Sequence, residues 1–385
     1  MNNTDNLRVA FLYPSVELGA YWLPVLDEFK KIFRQTIFYT GRLWPGFDPE
    51  TPGASVIKVV GQTNFVEMTN TVTGYSRGFY KVSPNIIGDL LRYKPHVIIT
   101  STFTIWTLLA LLFKPLGKWR VVIIWDGSSP NVDFRDSKAR LFLRRLMARF
   151  TDAFVSNSRD GKAYLMEFIH TKESKTFNRP YLVPEPKALS KQLENFESTI
   201  PQMQRPVFLY VGRIEQRKGI HYLLEACAIL RGQGYSNYTL IIVGDGPQRK
   251  ELEVYSKNHG IEDCVKWIGW VNYSNLGAYF YHADIFVFPT LEDIWGMVVP
   301  EAMAFSKPVL CSQWAGAAEM VIEGENGYIF DPYHPERLAE IMRRFIDNQD
   351  LIVSMGQKSR QLISQHTPKD AAKFLADITY FVFNQ

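Results

Sequence analysis

A chain of 385 residues, 46% hydrophobic and 21% charged, is long enough to bury two cores of ordinary domain size and is neither disordered nor collagen-like in composition. Its 43 basic and 39 acidic side chains leave a formal charge of +4, too small an excess to argue for nucleic acid. Cys227, Cys264 and Cys311 show no CxxC spacing, which excludes a disulfide framework and a cysteine-rich zinc site and suits a reducing cytoplasm.

In chain order, residues 1–6 are polar, without the basic start and cleavage site of a signal peptide, and a soluble protein is expected. Strands are predicted at 9–13, 35–39, 97–100, 121–125 and 153–157, with helices at 21–33, 86–92 and 137–150 between them. Such alternation predicts a parallel α/β sheet. The apolar run 97–113 is short for a bilayer crossing and holds Ser and Thr, so it reads as a buried strand entering a core-facing helix at 103–113. In the helix at 137–150, apolar residues at 139, 142, 143, 146 and 150 predict a half-buried face, leaving Arg140, Arg144 and Arg149 on the other side. That basic face either lies on anionic lipid headgroups or is the ordinary outer face of a helix in a sheet protein. Tyr21, Trp22, Trp44 and Phe47 are expected to be exposed aromatics that hold an acceptor sugar or simply pack.

A polar stretch at 184–206 with prolines at its ends and middle reads as a crossover between domains. A second α/β series follows: strands at 207–211, 240–243, 265–268, 285–289 and 309–312, with helices at 220–231, 248–259, 276–281 and 297–305. The tail at 367–383 is again helical in pattern.

Three stretches carry chemistry. The first, Phe208-Leu-Tyr-Val-Gly-Arg213-Ile-Glu-Gln-Arg-Lys218-Gly219, ends a buried strand in a loop bearing Arg213 and Lys218 before a helix start. It suits a diphosphate, or is a solvated basic loop. The second, Val243-Gly-Asp-Gly-Pro247, is a tight turn in which Asp245 is structural. The third, Asp293-Ile-Trp-Gly296-Met-Val-Val-Pro-Glu301, separates two carboxylates by seven residues around a helix start with open amides near Gly296, Met297 and Val298. Two hydroxyl-binding acids flanking an anion site fit a nucleotide sugar; the alternative is a capping acid and a surface Glu.

With these stretches in order, residues 207–330 resemble the donor-binding domain of the family-four retaining glycosyltransferases of GT-B fold, the glycosyl transferases group 1. VGRIEQRKG, VGDGP, WIGWV, ADIFVFPT, the acid–x7–acid element and GAAEMVIEGENGYIF carry the likeness. It implies two Rossmann-like domains facing each other across a deep cleft, at 1–200 and 201–365, with the helix at 366–385 returning to the first. It also implies that Arg213 and Lys218 neutralise the donor diphosphate, and that Asp293 and the backbone of Trp295, Gly296, Met297 and Val298 hold the sugar. Glu301 takes the ribose, and Ile268 and Gly269 line the nucleobase pocket. The implied donor is a UDP- or GDP-linked sugar and the acceptor a glycan or lipid-linked hydroxyl, in polysaccharide or cell-envelope assembly in the cytoplasm or at the inner membrane face.

Three departures from the family pattern stand out. Asp293 replaces the usual Glu. Pro14-Ser-Val-Glu-Leu-Gly19-Ala has one glycine where relatives have two, so Gly19 alone is left to approach the ligand. Asp126 stands after strand 121–125 near where many relatives have His, as an acceptor-orienting or proton-accepting group or as a turn cap. Arg213, Lys218, Asp293 and Asp126 are thus the expected catalytic residues. No DxD-like cluster stands in the expected place and the cations suffice, so metal independence is predicted; retention rests on the resemblance. A non-catalytic sugar-nucleotide binder and a GT-B epimerase or phosphorylase remain as alternatives.

Overall fold

A computed structural model describes residues 6–15, 19–44, 46–69, 75, 77–185 and 203–385. The chain groups into two compact units, one of Met1–Thr71, Ser76–Val183 and His366–Gln385, the other of Val72–Tyr75 and Pro184–Gln365. The boundary expected between 200 and 201 lies outside the described residues, as does most of the predicted crossover.

In the first unit β1 (Arg8–Tyr13), β2 (Gln35–Thr40), β3 (Ile57–Val59), β6 (Val97–Ser101), β7 (Arg120–Trp125), β8 (Ala153–Ser156) and β9 (Thr176–Asn178) form one sheet ordered β3-β2-β1-β6-β7-β8-β9. All its pairs are parallel. A separate antiparallel hairpin joins β4 (Asn64–Thr69) and β5 (Arg77–Lys81). The apolar run at 97–113 divides into β6 and the helix Ile105–Leu112, and among the described residues no helix is long and apolar enough to cross a membrane. The C-terminal helix Pro368–Phe383 packs in this unit, with Tyr380 against Phe33 at 5.0 Å and Phe381 edge-on to Phe177 at 5.3 Å.

In the second unit β10 (Val207–Val211), β11 (Thr239–Val243), β12 (Val265–Gly269), β13 (Ile285–Phe288), β14 (Val309–Ser312) and β15 (Gly327–Phe330) form a parallel sheet ordered β12-β11-β10-β13-β14-β15. This is the doubly wound order, in which the chain builds outward one way and then reverses, so β10 and β13 are neighbours whose following loops diverge. A core of Phe208, Leu223, Cys227, Leu240, Ile285 and Leu338, all fully buried, fixes the helices Ile220–Gly232 and Pro335–Asp347 to the sheet.

Two expectations are overturned. Trp22 and Trp44 are not exposed: Trp22 packs against Phe11, Tyr13 and Phe38, and Trp44 is buried against Phe47. The helix Lys138–Phe150 is rotated from the expected setting. Phe142 and Phe150 are 69% and 59% exposed, Leu143 and Leu146 are exposed as well, and the inward residues are Leu141, Arg144 and Met147. The cause is a site made for a guanidinium. Arg144 lies 5.0 Å over the Trp125 ring and donates to the Asp133 carbonyl at 2.7 Å and the Tyr164 hydroxyl at 2.5 Å. A planar cation with three acceptors, the third being the Val132 carbonyl, and an aromatic bed beneath it outweighs burial of one more apolar side chain.

Candidate active site

The second unit supplies one cluster at the carboxyl ends of β10 and β13, the place where a doubly wound sheet leaves a crevice. Gly212 follows β10 and Gly244 follows β11; a side chain on Gly244, whose φ is +136°, would come within 1.9 Å of the Gly212 carbonyl. Only glycine lets the two loops lie this close. The turn Gln216–Lys218 is tied to the loop after β13 by the Leu291 amide, which donates to the Arg217 carbonyl at 2.8 Å. That tie brings the predicted Lys218 and Asp293 together.

Asp293 is buried, and Lys218 Nζ lies 2.5 Å from its Oδ2, with Arg217 Nη1 at 3.6 Å. Burial alone would raise this carboxyl, but Lys218 and Arg217 beside it, and the Trp295 amide donating to it at 3.2 Å, hold it below the usual carboxylate range. Asp293 is therefore a fixed anion between two cations, of which Arg217 also pairs with Glu215 at 2.9 Å. Arg213, by contrast, is mostly exposed, paired with Glu215 at 3.2 Å. The amides of Gly296, Met297 and Val298 donate to no acceptor among the described residues. Trp295 itself is buried.

Arg213 also borders a pocket of about 430 Å³ that Gly212, Gly244, Asp245, Trp270 and Leu276 help to line. Ile268 and Gly269, the expected nucleobase residues, end β12, and Gly269 accepts from the Gly244 amide at 2.8 Å. Trp270 and Val271, the next two residues, are the ones that line the pocket. Asp245 behaves as a turn residue, capping the Gly246 amide and pairing with Arg249 at 3.1 Å. Glu301 is not on the surface: it is fully buried, and its Oε1 accepts from the Tyr273 hydroxyl at 2.9 Å.

In the first unit Asp126 follows β7. The Tyr181 hydroxyl donates to its Oδ1 at 2.6 Å; burial pushes the carboxyl up to about 6, and the tyrosine pulls it partly back. No cation is paired with it among the described residues. The buried Tyr13 hydroxyl has no hydrogen-bond partner there. Gly19 opens the helix Gly19–Ile32 beneath the Trp44 indole, which a side chain would meet at about 2.0 Å. Its smallness therefore serves that packing.

Four participants went unassigned in the sequence. Arg217 stands in the basic run beside Lys218, but spacing does not say which cation faces the acid. Tyr75 groups with the second unit, its ring 4.1 Å under the Arg217 guanidinium, its amide donating to Glu292 at 2.9 Å and its hydroxyl 3.4 Å from Asp293. It lies 218 positions from Asp293, and neither Tyr75, Tyr273 nor Tyr181 belongs to a motif.

Residues 191–362 match the family described as glycosyl transferases group 1. Over 158 residues the chain is 28% identical to alpha-D-kanosaminyltransferase of Streptomyces kanamyceticus, covering 41% of each. It is 31% identical over 158 residues to the amylovoran biosynthesis glycosyltransferase AmsK of Erwinia amylovora, 40% of this chain and 39% of that one. The chain thus matches about two fifths of the length of these curated relatives. The crystal structure of Anabaena HepE with UDP and glucose superposes with a TM-score of 0.75 at 18% identity, covering 97% of this chain and 100% of that one. The fold is GT-B, with two Rossmann-like domains.

Proposed function

From the premise that residues 191–362 are a glycosyl transferases group 1 domain, we propose that this chain is a retaining, hexosyl-type glycosyltransferase. It moves a sugar from a UDP- or GDP-linked donor to a hydroxyl of a glycan or lipid-linked acceptor, in polysaccharide or cell-envelope glycoconjugate assembly. The observation that carries this reading is Asp293 held ionised between Lys218 and Arg217, three positions before the open amides of Gly296 and its neighbours. A hydroxyl donor and a diphosphate are the ligand groups such a pairing accepts together.

Breaking the bond between the anomeric carbon and the diphosphate oxygen builds negative charge on the leaving group and positive charge on the sugar. Arg213, Lys218 and the amides of Gly296, Met297 and Val298 meet the former, preorganised by the ties of the 216–218 turn. Asp293 takes sugar hydroxyls. Glu301 accepts a ribose hydroxyl, held by Tyr273, and the backbone at Ile268 and Gly269 frames the base. Asp126 orients the acceptor hydroxyl and accepts its proton as the new glycosidic bond forms. With cations fixed at the leaving group, the reaction is metal-independent.

Three free, buried cysteines fit a cytoplasmic site of action. Peripheral contact at the inner membrane face runs through the helix at 137–150. Similarity to proteins titled amylovoran biosynthesis glycosyltransferase and HepE with UDP and glucose supports the assembly role and the donor class.

The test is thermal stabilisation by a panel of nucleoside diphosphates and nucleotide sugars. A ligand at about a hundred times its dissociation constant adds roughly 2.7 kcal/mol. One base is expected to raise Tm, with the Arg213→Ala, Lys218→Ala double variant losing the effect and EDTA changing nothing. No shift with any nucleotide sinks the donor assignment.

A further inference from the structure

The rotated helix Lys138–Phe150 leaves an apolar face on the first unit that nothing in the chain covers among the described residues. Leu143, Leu146 and Phe150 continue Phe142 along it; Leu112 and Leu116, 64% and 67% exposed, stand on the neighbouring helical segment, which Lys114 Nζ ties to the Phe150 carbonyl at 2.8 Å. Isolated exposed apolar residues are ordinary; four along one helix face point to a partner.

At the C-terminal end of this face lies a cavity of about 600 Å³, framed by Lys114, Lys118, Arg120, Arg149 and Lys175 against the single carboxylate of Asp152. Asp152 is already satisfied: Lys114 Nζ lies 2.6 Å from it, Arg120 pairs at 3.5 Å, and the Val121 amide donates at 2.7 Å. Lys118, Arg149 and Lys175 form no ion pair among the described residues. Phe150 and Trp119 close the same cavity with apolar surface. Arg120 opens β7 and Asp126 follows its other end, so roughly 20 Å of strand separates the cavity from that carboxylate. The cavity is therefore a site of its own.

We propose that this cavity binds the phosphate of an acidic phospholipid, and that the apolar face beside it enters the acyl boundary of the same membrane. An uncompensated cationic pocket opening beside exposed Phe and Leu side chains matches a ligand that is a phosphate ester at one end and hydrocarbon at the other. The inference rests on the membrane contact proposed above, but it places the apolar side of the helix toward the lipid and assigns the headgroup to the cavity. It does not depend on the donor site.

The experiment is co-sedimentation of the full chain with vesicles of phosphatidylcholine alone or with one third phosphatidylglycerol. It compares an Arg149→Glu, Lys175→Glu variant and a Phe142→Ser, Leu146→Ser variant, each first shown to keep the circular dichroism spectrum and Tm of the unsubstituted chain. Binding is expected only to the acidic vesicles, weakening with salt, and falling at least about tenfold in each variant. If the Phe142, Leu146 variant loses binding while the Arg149, Lys175 variant keeps it, the membrane contact stands and the headgroup site is overturned. Stabilisation by inorganic phosphate without vesicle binding makes the ligand a soluble anion and overturns the proposal. So does a dimer in solution that the Phe142, Leu146 variant dissociates. Binding to neither vesicle overturns it together with the membrane reading.

Discussion

The two units each place an aspartate after a sheet strand, Asp293 buried and Asp126 half-buried, and the two carboxylates are pushed in opposite directions. Asp293 has Lys218 at 2.5 Å and Arg217 at 3.6 Å and is held below the usual range. Among the described residues Asp126 has a tyrosine hydroxyl at 2.6 Å and no paired cation, and it rises to about 6. Burial disfavours both anions; what differs is the compensating charge. An acid locked as an anion binds hydroxyls and cations at any ordinary pH, whereas one poised near neutrality exchanges a proton. On the proposed function, the contrast suits Asp293 to ligand holding and Asp126 to proton traffic.

The sharpest way to break this contrast is Asp126→Asn, which keeps size and hydrogen-bonding capacity but removes the base. Turnover is expected to fall by about 10²–10⁴, the range for positioned acid–base groups, while nucleotide-sugar affinity by calorimetry stays within about twofold. Equal loss of both would make Asp126 a structural cap. In the unsubstituted chain kcat/KM should climb about tenfold per pH unit up to about 6 and then level off, because the base must be ionised. Folding stability should run the other way. The folded pKa lies above the unfolded value, so the contribution of Asp126 is present below about 4 and is lost as pH rises through about 6. Urea unfolding of the Asp126→Asn variant should lack that slope.

Next in size is Lys218→Ala. It removes the nearer cation from Asp293 and, on the proposed function, a stabiliser of the leaving diphosphate, with an expected loss of about 10²–10³ in kcat/KM. Stability should fall by ~2 kcal/mol by urea titration, since Arg217 still attends the carboxylate. A variant that loses stability but keeps its kcat/KM would reduce Lys218 to a scaffold residue.

The sequence disclosed these two regions unequally. The second unit announces itself because β10, β11 and β13 are long enough to show an apolar run, and because glycines and charges follow each strand at fixed offsets. The edge strands β3 and β9 have three residues each, too few to show a period. The helix Lys138–Phe150 carries a good apolar stripe, and periodicity alone turns it inward; what turned it outward is the aromatic bed under Arg144, built from residues as far away as Phe103 and Tyr164. Asp126 was identifiable as a strand-end acid, but its partner Tyr181 is 55 positions on, and pattern does not report such pairings.

That distant partner yields the smallest and most discriminating prediction. The Tyr181 hydroxyl stabilises the ionised form of Asp126, so Tyr181→Phe removes a force that lowers the pKa and leaves burial unopposed. The acidic limb of the kcat/KM profile should then move to higher pH by up to about one unit, the worth of one charge-assisted hydrogen bond. The plateau above it should change little, because at high pH the base is ionised with or without the tyrosine. A drop in the plateau with the limb unmoved would mean that Tyr181 positions the acceptor rather than tuning the acid. A limb that moves to lower pH would mean that the hydroxyl accepts from a protonated Asp126, reversing the direction of the bond on which the contrast with Asp293 depends.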